Sequence, residues 1–291
     1  MSGEHGSYYL PDSSPWPLVA SVGIFVLAVG FVMLMNGISG GSVVTLAGAA
    51  IMVFMMFNWF AVVVRESEGG SYDSQVGLSF RQGMSWFIFS EVMFFAGFFG
   101  ALFYVRNLAV PWLAETELLW PGFDAAWPTA GPEGASYVGP DSAVKANEFS
   151  SIGAWGIPFI NTAILLSSSV TCTVAHWALK QNNRGQLITW LLITVILGVI
   201  FLYLQGMEYA HAYSELGLTL GSGVYGSTFF MLTGFHGVHV TIGAIILAVI
   251  LLRSIKGHFT ADNHFAFEAG AWYWHFVDTV WVGLFIFVYV F

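Results

Sequence analysis

LITWLLITVILGVIFLYL, residues 187–204, decides the fold. It carries no charged side chain, and a helix needs about 20 apolar residues to cross a bilayer. A transmembrane β-strand would alternate apolar and polar residues over about ten positions. This run is continuous, so it predicts a membrane helix, over about 187–210. Working outward, six further runs of the same character lie at about 17–36, 42–64, 82–105, 154–178, 225–252 and 268–291. Glycines punctuate their ends, as in Asn36-Gly37, Gly40-Gly41, Gly69-Gly70 and the Gly221/Gly223 pair. The predicted fold is an all-α, polytopic membrane protein with seven transmembrane helices and a single membrane domain over 1–291. A long outer loop covers about 106–153.

Composition agrees. Of 291 residues, 57% are hydrophobic, 17% aromatic and 9% charged, whereas soluble domains carry roughly 25% charged residues. A soluble enzyme, a disordered chain and a disulfide scaffold are all excluded; the one cysteine, Cys172, has no partner. The net charge of −9, from 17 acids against 8 bases, has the wrong sign for binding nucleic acid. The first sixteen residues hold no Lys or Arg, so the first run reads as a helix rather than a cleavable signal.

Basic residues predict the orientation, because short cytoplasmic loops collect Lys and Arg. Arg65 and Arg81 flank the second loop, Lys180 and Arg184 the fourth, and Arg253 and Lys256 the sixth. Arg106 and Lys145 fall in the long third loop. With seven spans this places the N-terminus in the cytoplasm and Phe291 outside. The long loop carries Glu115, Glu117, Asp124, Glu133, Asp141 and Glu148. It reads as a solvated loop held by Trp112, Trp120 and Trp127, with an acidic lip for a basic partner as the alternative.

Ionisable groups inside a bilayer are costly, so each is a functional candidate. Glu91 lies nine residues into the third run, roughly 14 Å deep. No Lys or Arg lies at similar depth, so the acid is expected to be neutral. It reads either as a proton-exchanging carboxyl or as an acid hydrogen-bonded to a neighbouring helix. Glu208 and His211 stand three apart, as do His236 and His239, and His275 and Asp278; such pairs share a helix face. Glu268 opens the last run. His236 and His239 invite a metal or haem reading, but such a site needs further ligands. His239 lies about 20 Å up its helix and His275 about 10 Å up its own, a poor match for a shared haem. Packing histidines with satisfied hydrogen bonds are the preferred reading. The segment SSSVTCT, 167–173, suggests close helix contact. Phosphate loops, CxxC, HExxH and nucleophile-elbow motifs are absent.

Six segments, in order, resemble subunit III of the haem–copper cytochrome c oxidases. They are Arg65-Glu66-Ser67, the run from Phe89 through Glu91, Leu204 to Tyr209, Val224 to Phe230, Gly234 to Val240, and Phe267 to Asp278. The last contains EAGAWYWHFVD, which is long and specific. The first two helices, typically missing from the quinol-oxidase relative, favour the cytochrome c branch; the resemblance is to the bacterial seven-helix form and implies a bacterial inner membrane. The resemblance implies an accessory subunit of a proton-pumping oxidase that holds no redox centre itself. It supports proton uptake while O2 is reduced to water. Haem and copper belong to partner subunits; subunit I is packed directly, subunit II is also present, and cytochrome c is the donor. Glu91 would be the family's buried, carbodiimide-reactive carboxyl. Helices 1–2 and 3–7 would form two bundles around a cleft that holds phospholipid. Headgroup contacts would come from Arg65, Glu66 and Arg253, with Trp59, Lys256 and His258. Glu208, His211, His236, His239, Glu268, His275 and Asp278 would form a structural polar network. Gly69-Gly70-Ser71-Tyr72 stands where many relatives carry a histidine pair. The rival readings are an independent proton-coupled carrier using Glu91 and a cytochrome-type membrane protein using the histidines.

Overall fold

A computed structural model describes residues 13–132 and 149–291. The expectations at residues 1–12 and at Glu133, Asp141, Lys145 and Glu148 lie outside them. The described residues are helical: α1 (Trp16–Met35), α2 (Gly41–Glu68), α3 (Ser74–Tyr104), α4 (Val110–Ala114), α5 (Ile157–Lys180), α6 (Arg184–Ser214), α7 (Gly223–Lys256) and α8 (Phe265–Leu284). A π-helical stretch, Val105–Ala109, joins α3 to α4, and another, Phe285–Val290, extends α8. Seven of the resulting helices are long and apolar enough to cross a membrane, with α3 and α4 counted as one.

The helices outrun the apolar runs that announce them. α3 starts at Ser74 rather than 82, and α7 reaches Lys256 rather than 252. Apolar residues mark the hydrocarbon layer, whereas the backbone stays helical for another turn or two in the interfacial region. The outer loop likewise begins at Glu115, so Arg106 is a helical residue. Pro111 has no N–H and its ring crowds the carbonyl four residues back, at Asn107. That position falls in the Val105–Ala109 π stretch, which absorbs the misfit and lets the helix continue.

The chain divides into two compact units, Met1–Phe80 and Arg81–Phe291. In the first, α1 and α2 form a hairpin through Gly37 (φ +66°) and Gly40 (φ +86°). Its contact is backbone against backbone. A Cβ at Gly30 would strike the backbone of Thr45, and one at Gly48 the backbone of Leu27. Gly41, a heptad before Gly48, lies against the backbone of Leu34, and Gly23, a heptad before Gly30, against the side chain of Met52. Small residues let helices approach closely where lipid supplies no hydrophobic drive.

In the second unit, α5–α6, α6–α7, α7–α8 and α5–α8 are packed neighbours. The core is aromatic: Trp274, Trp281, Phe201, Phe229 and Phe267 are fully buried. Trp274 lies across Gly198 of α6 and Gly243 of α7, where a Cβ would come 2.8 Å from its ring. Its Nε1–H donates to Ser168 Oγ of α5 (2.9 Å). Trp281 repeats the device one level further along, donating to Thr162 Oγ1 at 2.9 Å. Thr171 of α5 and Thr194 of α6 share a hydrogen bond of 2.8 Å. The hydroxyl-rich 167–173 segment thus stitches α5 to both neighbours.

Candidate functional site

α3 lies against α7 and α8, through Phe94 on Phe235 and Phe87 on Tyr273. This contact brings Glu91 Oε2 to 2.8 Å from His239 Nε2. The expectation that Glu91 lacks a basic partner is therefore corrected: the partner is an imidazole on another helix. Glu91 is seventeen residues from the Ser74 end of α3, and His239 seventeen from the Lys256 end of α7. Both are about 25 Å along their helices. The apolar runs placed the two at different depths because their edges fell short of the true helix ends.

The tautomer is fixed by the other ring nitrogen. His239 Nδ1 lies 2.6 Å from the Phe235 carbonyl oxygen, which can only accept, so Nδ1 carries a proton. Nε2 then bears a second proton only in the imidazolium form. The bond to Glu91 is either acid to imidazole or imidazolium to carboxylate. In both forms the pair is neutral overall and holds one mobile proton between its two heavy atoms. Phe95 and Phe276 pack around the imidazole, and Tyr273 stacks on it. The side chains of Glu91 and His239 are 23% and 12% exposed, so this proton is close to the surface of the unit rather than sealed in its core.

The remaining polar residues separate into local groups. Glu208, 1% exposed, accepts at Oε1 from Tyr289 OH (2.6 Å) and Gln205 Nε2 (3.1 Å). His211 turns away from it and pairs with Glu215 at 3.2 Å. The expected Glu208–His211 face thus gives way to two separate pairs. His236 is buried and donates from Nε2 to the Val277 carbonyl (3.2 Å), while its ring packs on Phe201 and Trp281. His236 and His239 do not converge on one point. His275 and Asp278 are 3.7 Å apart, beyond a hydrogen bond; His275 Nδ1 lies instead 2.7 Å from Ser169 Oγ. Among the described residues, no three His, Cys, Asp or Glu side chains gather as a metal site requires. The partners that sequence reasoning missed are Gln205, Tyr289, Ser168 and Ser169. The tyrosine and tryptophans did carry a signal, since a buried O–H or N–H must find an acceptor.

The ends of the helices hold the basic groups. Arg81 pairs with Glu268 (2.9 Å) and lies over the Phe265 ring. Arg184 donates from Nε to the Ser254 carbonyl (2.9 Å) and fills the space beside Gly257, which has φ +88°. Arg253 lies over the Phe259 ring, 4.6 Å from its centroid. Lys256 ends α7 exposed, and His258 follows it. In the first unit, Arg65 donates to the Ala61 carbonyl (3.2 Å). Glu66 accepts from Tyr72 OH at 2.7 Å. Trp59 is exposed on α2.

The comparisons with known proteins cover the chain almost end to end. The family model described as cytochrome c oxidase subunit III matches residues 6–130 and 143–291. The unmatched residues are 131–142. The chain is 42% identical over 283 residues to the cytochrome c oxidase subunit 3 of Marchantia polymorpha, covering 97% of this chain and 95% of that one. It is 41% identical over 283 residues to the Prototheca wickerhamii protein of the same name, covering 97% and 96%. With the Oncorhynchus mykiss protein of that name it shares 39% over 290 residues, covering 99% and 98%.

Proposed function

The chain belongs to the cytochrome c oxidase subunit III family, and from that premise we propose that it is the accessory membrane subunit of a proton-pumping terminal oxidase in a bacterial inner membrane. The observation that carries this is the match along nearly the whole length, through both the glycine-packed hairpin and the aromatic bundle. Haem and copper belong to partner subunits, with subunit I as the direct neighbour, subunit II in the same complex and cytochrome c as electron donor. The role of this chain is to stabilise the catalytic subunit and to support proton uptake as O2 is reduced to water.

Two features give that role a chemistry. The Glu91–His239 pair carries a mobile proton without net charge, which suits it to exchange protons at modest cost in apolar surroundings. Residues toward the helix ends suit phospholipid headgroups: the ring of Trp59, the guanidinium of Arg65 and the carboxylate of Glu66 in the first unit, and Arg253, Lys256 and His258 in the second. Basic residues near an anionic surface are worth on the order of 1 kcal/mol each.

A tagged chain purified in mild detergent tests the reading, with partners identified by mass spectrometry and by visible absorbance. The expected preparation contains a haem-bearing polypeptide in stoichiometric amount and reduces O2 with cytochrome c. A colourless preparation of this chain alone would overturn it.

A further inference from the structure

Glu208 lies among polar groups that the helices leave unfinished. The Thr171–Thr194 bond sets the register of the antiparallel neighbours α5 and α6. Ten residues further toward the Ile157 end, Asn161 stands level with Leu204, beside Gln205. Asn161 belongs to the buried stripe of α5 with Leu165 and Ser168, and Gln205 and Glu208 belong to that of α6. Helical side chains lean toward the N-terminus of their own helix. Asn161 therefore leans toward the Ile157 end, and Glu208, about one turn nearer that end, leans back to meet it.

Asn161, Gln205 and Glu208 are 0%, 6% and 1% exposed. Yet Glu208 Oε2, Gln205 Oε1 and both amide atoms of Asn161 have no hydrogen bond to the protein. Such atoms are costly to bury, and the neighbouring rings of Phe201 and Phe229 offer them nothing to pair with. Tyr289 OH and Gln205 Nε2 both donate to Glu208 Oε1. His211, three residues on, pairs with Glu215 instead, so no cation neutralises the carboxyl from its own helix. As a neutral acid it carries a proton on Oε2 that needs an acceptor. The π-helical stretch Phe285–Val290 brings Tyr289 to this spot, and such irregular turns are frequent at functional sites.

We propose that Asn161, Gln205, Glu208 and Tyr289 enclose a buried water site that joins α5, α6 and the π-helical end of α8. A pair of waters accepts from the Glu208 acid proton and from Asn161 Nδ2, and donates to Gln205 Oε1 and Asn161 Oδ1. Each water then has the two to four polar partners that internal waters require. The site is separate from the Glu91–His239 pair and does not depend on the oxidase reading. Glu208 becomes a hydrated pin between three helices rather than a carrier open to solvent.

Radiolysis in heavy-oxygen water tests this on the chain purified in mild detergent with the partners it retains. Hydroxyl radicals formed from a bound water oxidise the side chain beside it, however buried. Tyr289, 8% exposed, is expected to take up heavy oxygen, while Trp274, a reactive ring buried over two glycines, stays unlabelled. Asn161→Leu is expected to abolish the Tyr289 label. If that variant fails to accumulate, infrared spectra of the wild type and Glu208→Gln decide. The expected difference between them is a carboxylic-acid C=O band that shifts in D2O. Tyr289 labelled no more than Trp274, or a label unchanged in Asn161→Leu, would overturn the proposal. So would carboxylate bands in place of the acid band, which would make the occupant a cation. A colourless preparation would defeat the oxidase reading and leave this test standing.

Discussion

The α1–α2 hairpin and the α5–α8 bundle solve the same problem in opposite ways. Lipid tails are as apolar as leucine, so neither can rely on burying oil-like surface. The hairpin brings two backbones together over glycines, and only 11% of the residues in the apolar window of each helix are buried. The bundle keeps its backbones apart and fills the space with indole and phenyl rings, so that 50% of the corresponding α8 residues are buried. One is a fit of surfaces with almost no side chain; the other is a fit of large side chains with polar pins. The hairpin should therefore be sensitive to added volume, and the bundle to removed volume.

The largest effect is expected from Trp274→Ala. It empties the space over Gly198 and Gly243 and removes the donor to Ser168 Oγ, whose own hydroxyl still bonds the Leu165 carbonyl. Aromatic-to-alanine changes in well-packed cores cost about 3–5 kcal/mol, so the chain should lose most of its steady-state level in membranes, as read by immunoblot. A near-normal level would show that the bundle does not depend on this ring. Next comes Gly48→Val in the hairpin, where the new atoms meet the backbone of Leu27. Overpacking costs about 1–3 kcal/mol, and the expected readout is a lower melting temperature of the chain within the complex. If Gly48→Val is silent while Leu27→Ala is harmful, the hairpin is held by side chains and the contrast collapses.

Smaller still is Trp281→Phe, which keeps one aromatic ring, loses the pyrrole volume and removes the bond to Thr162. Interhelical hydrogen bonds in membranes average about 0.6 kcal/mol, so the shift in melting should be smaller than that for Gly48→Val. The smallest structural effect belongs to Glu91→Gln. The amide can donate to His239 Nε2 in place of the acid proton, so assembly and O2 reduction should stay near normal while labelling by a hydrophobic carbodiimide disappears. Assembled complex with turnover abolished would make Glu91 an obligatory proton carrier.

Much of the fold was legible because the bilayer imposes one simple demand, an apolar run of spanning length. Residues 187–204 could be nothing else. The close contact around 167–173 was also visible in its run of small hydroxyls. The site was less legible, and the Glu91–His239 pair shows why. Both residues were singled out, but pairing them requires a common depth, and depth was measured from apolar edges that miss the true ends of α3 and α7 by eight and four residues. Spacing rules within one helix failed for a related reason. His275 obeys the three-residue rule with Asp278, yet its closer partner is Ser169 on facing α5, whereas His211 keeps a local partner and pairs four residues on, with Glu215. A neighbour on the same helix offers only one fixed geometry, whereas a facing helix can be placed by the packing of everything else.

Arg184 gives one further consequence. By the positive-inside rule, a basic residue in a short loop helps tell the insertion machinery which way round to thread a chain, and Arg184 is such a residue by position. In the folded protein the same guanidinium caps the last turn of α7 and occupies the space that any side chain at position 257 would need. Address label and building part are one residue. Charge-swapping experiments on this loop would therefore change insertion and folding at once, unless the charge is moved to Gln181, one position past α5, with Arg184 left in place. A protein designer who gives position 257 a side chain must likewise displace this guanidinium from the end of α7.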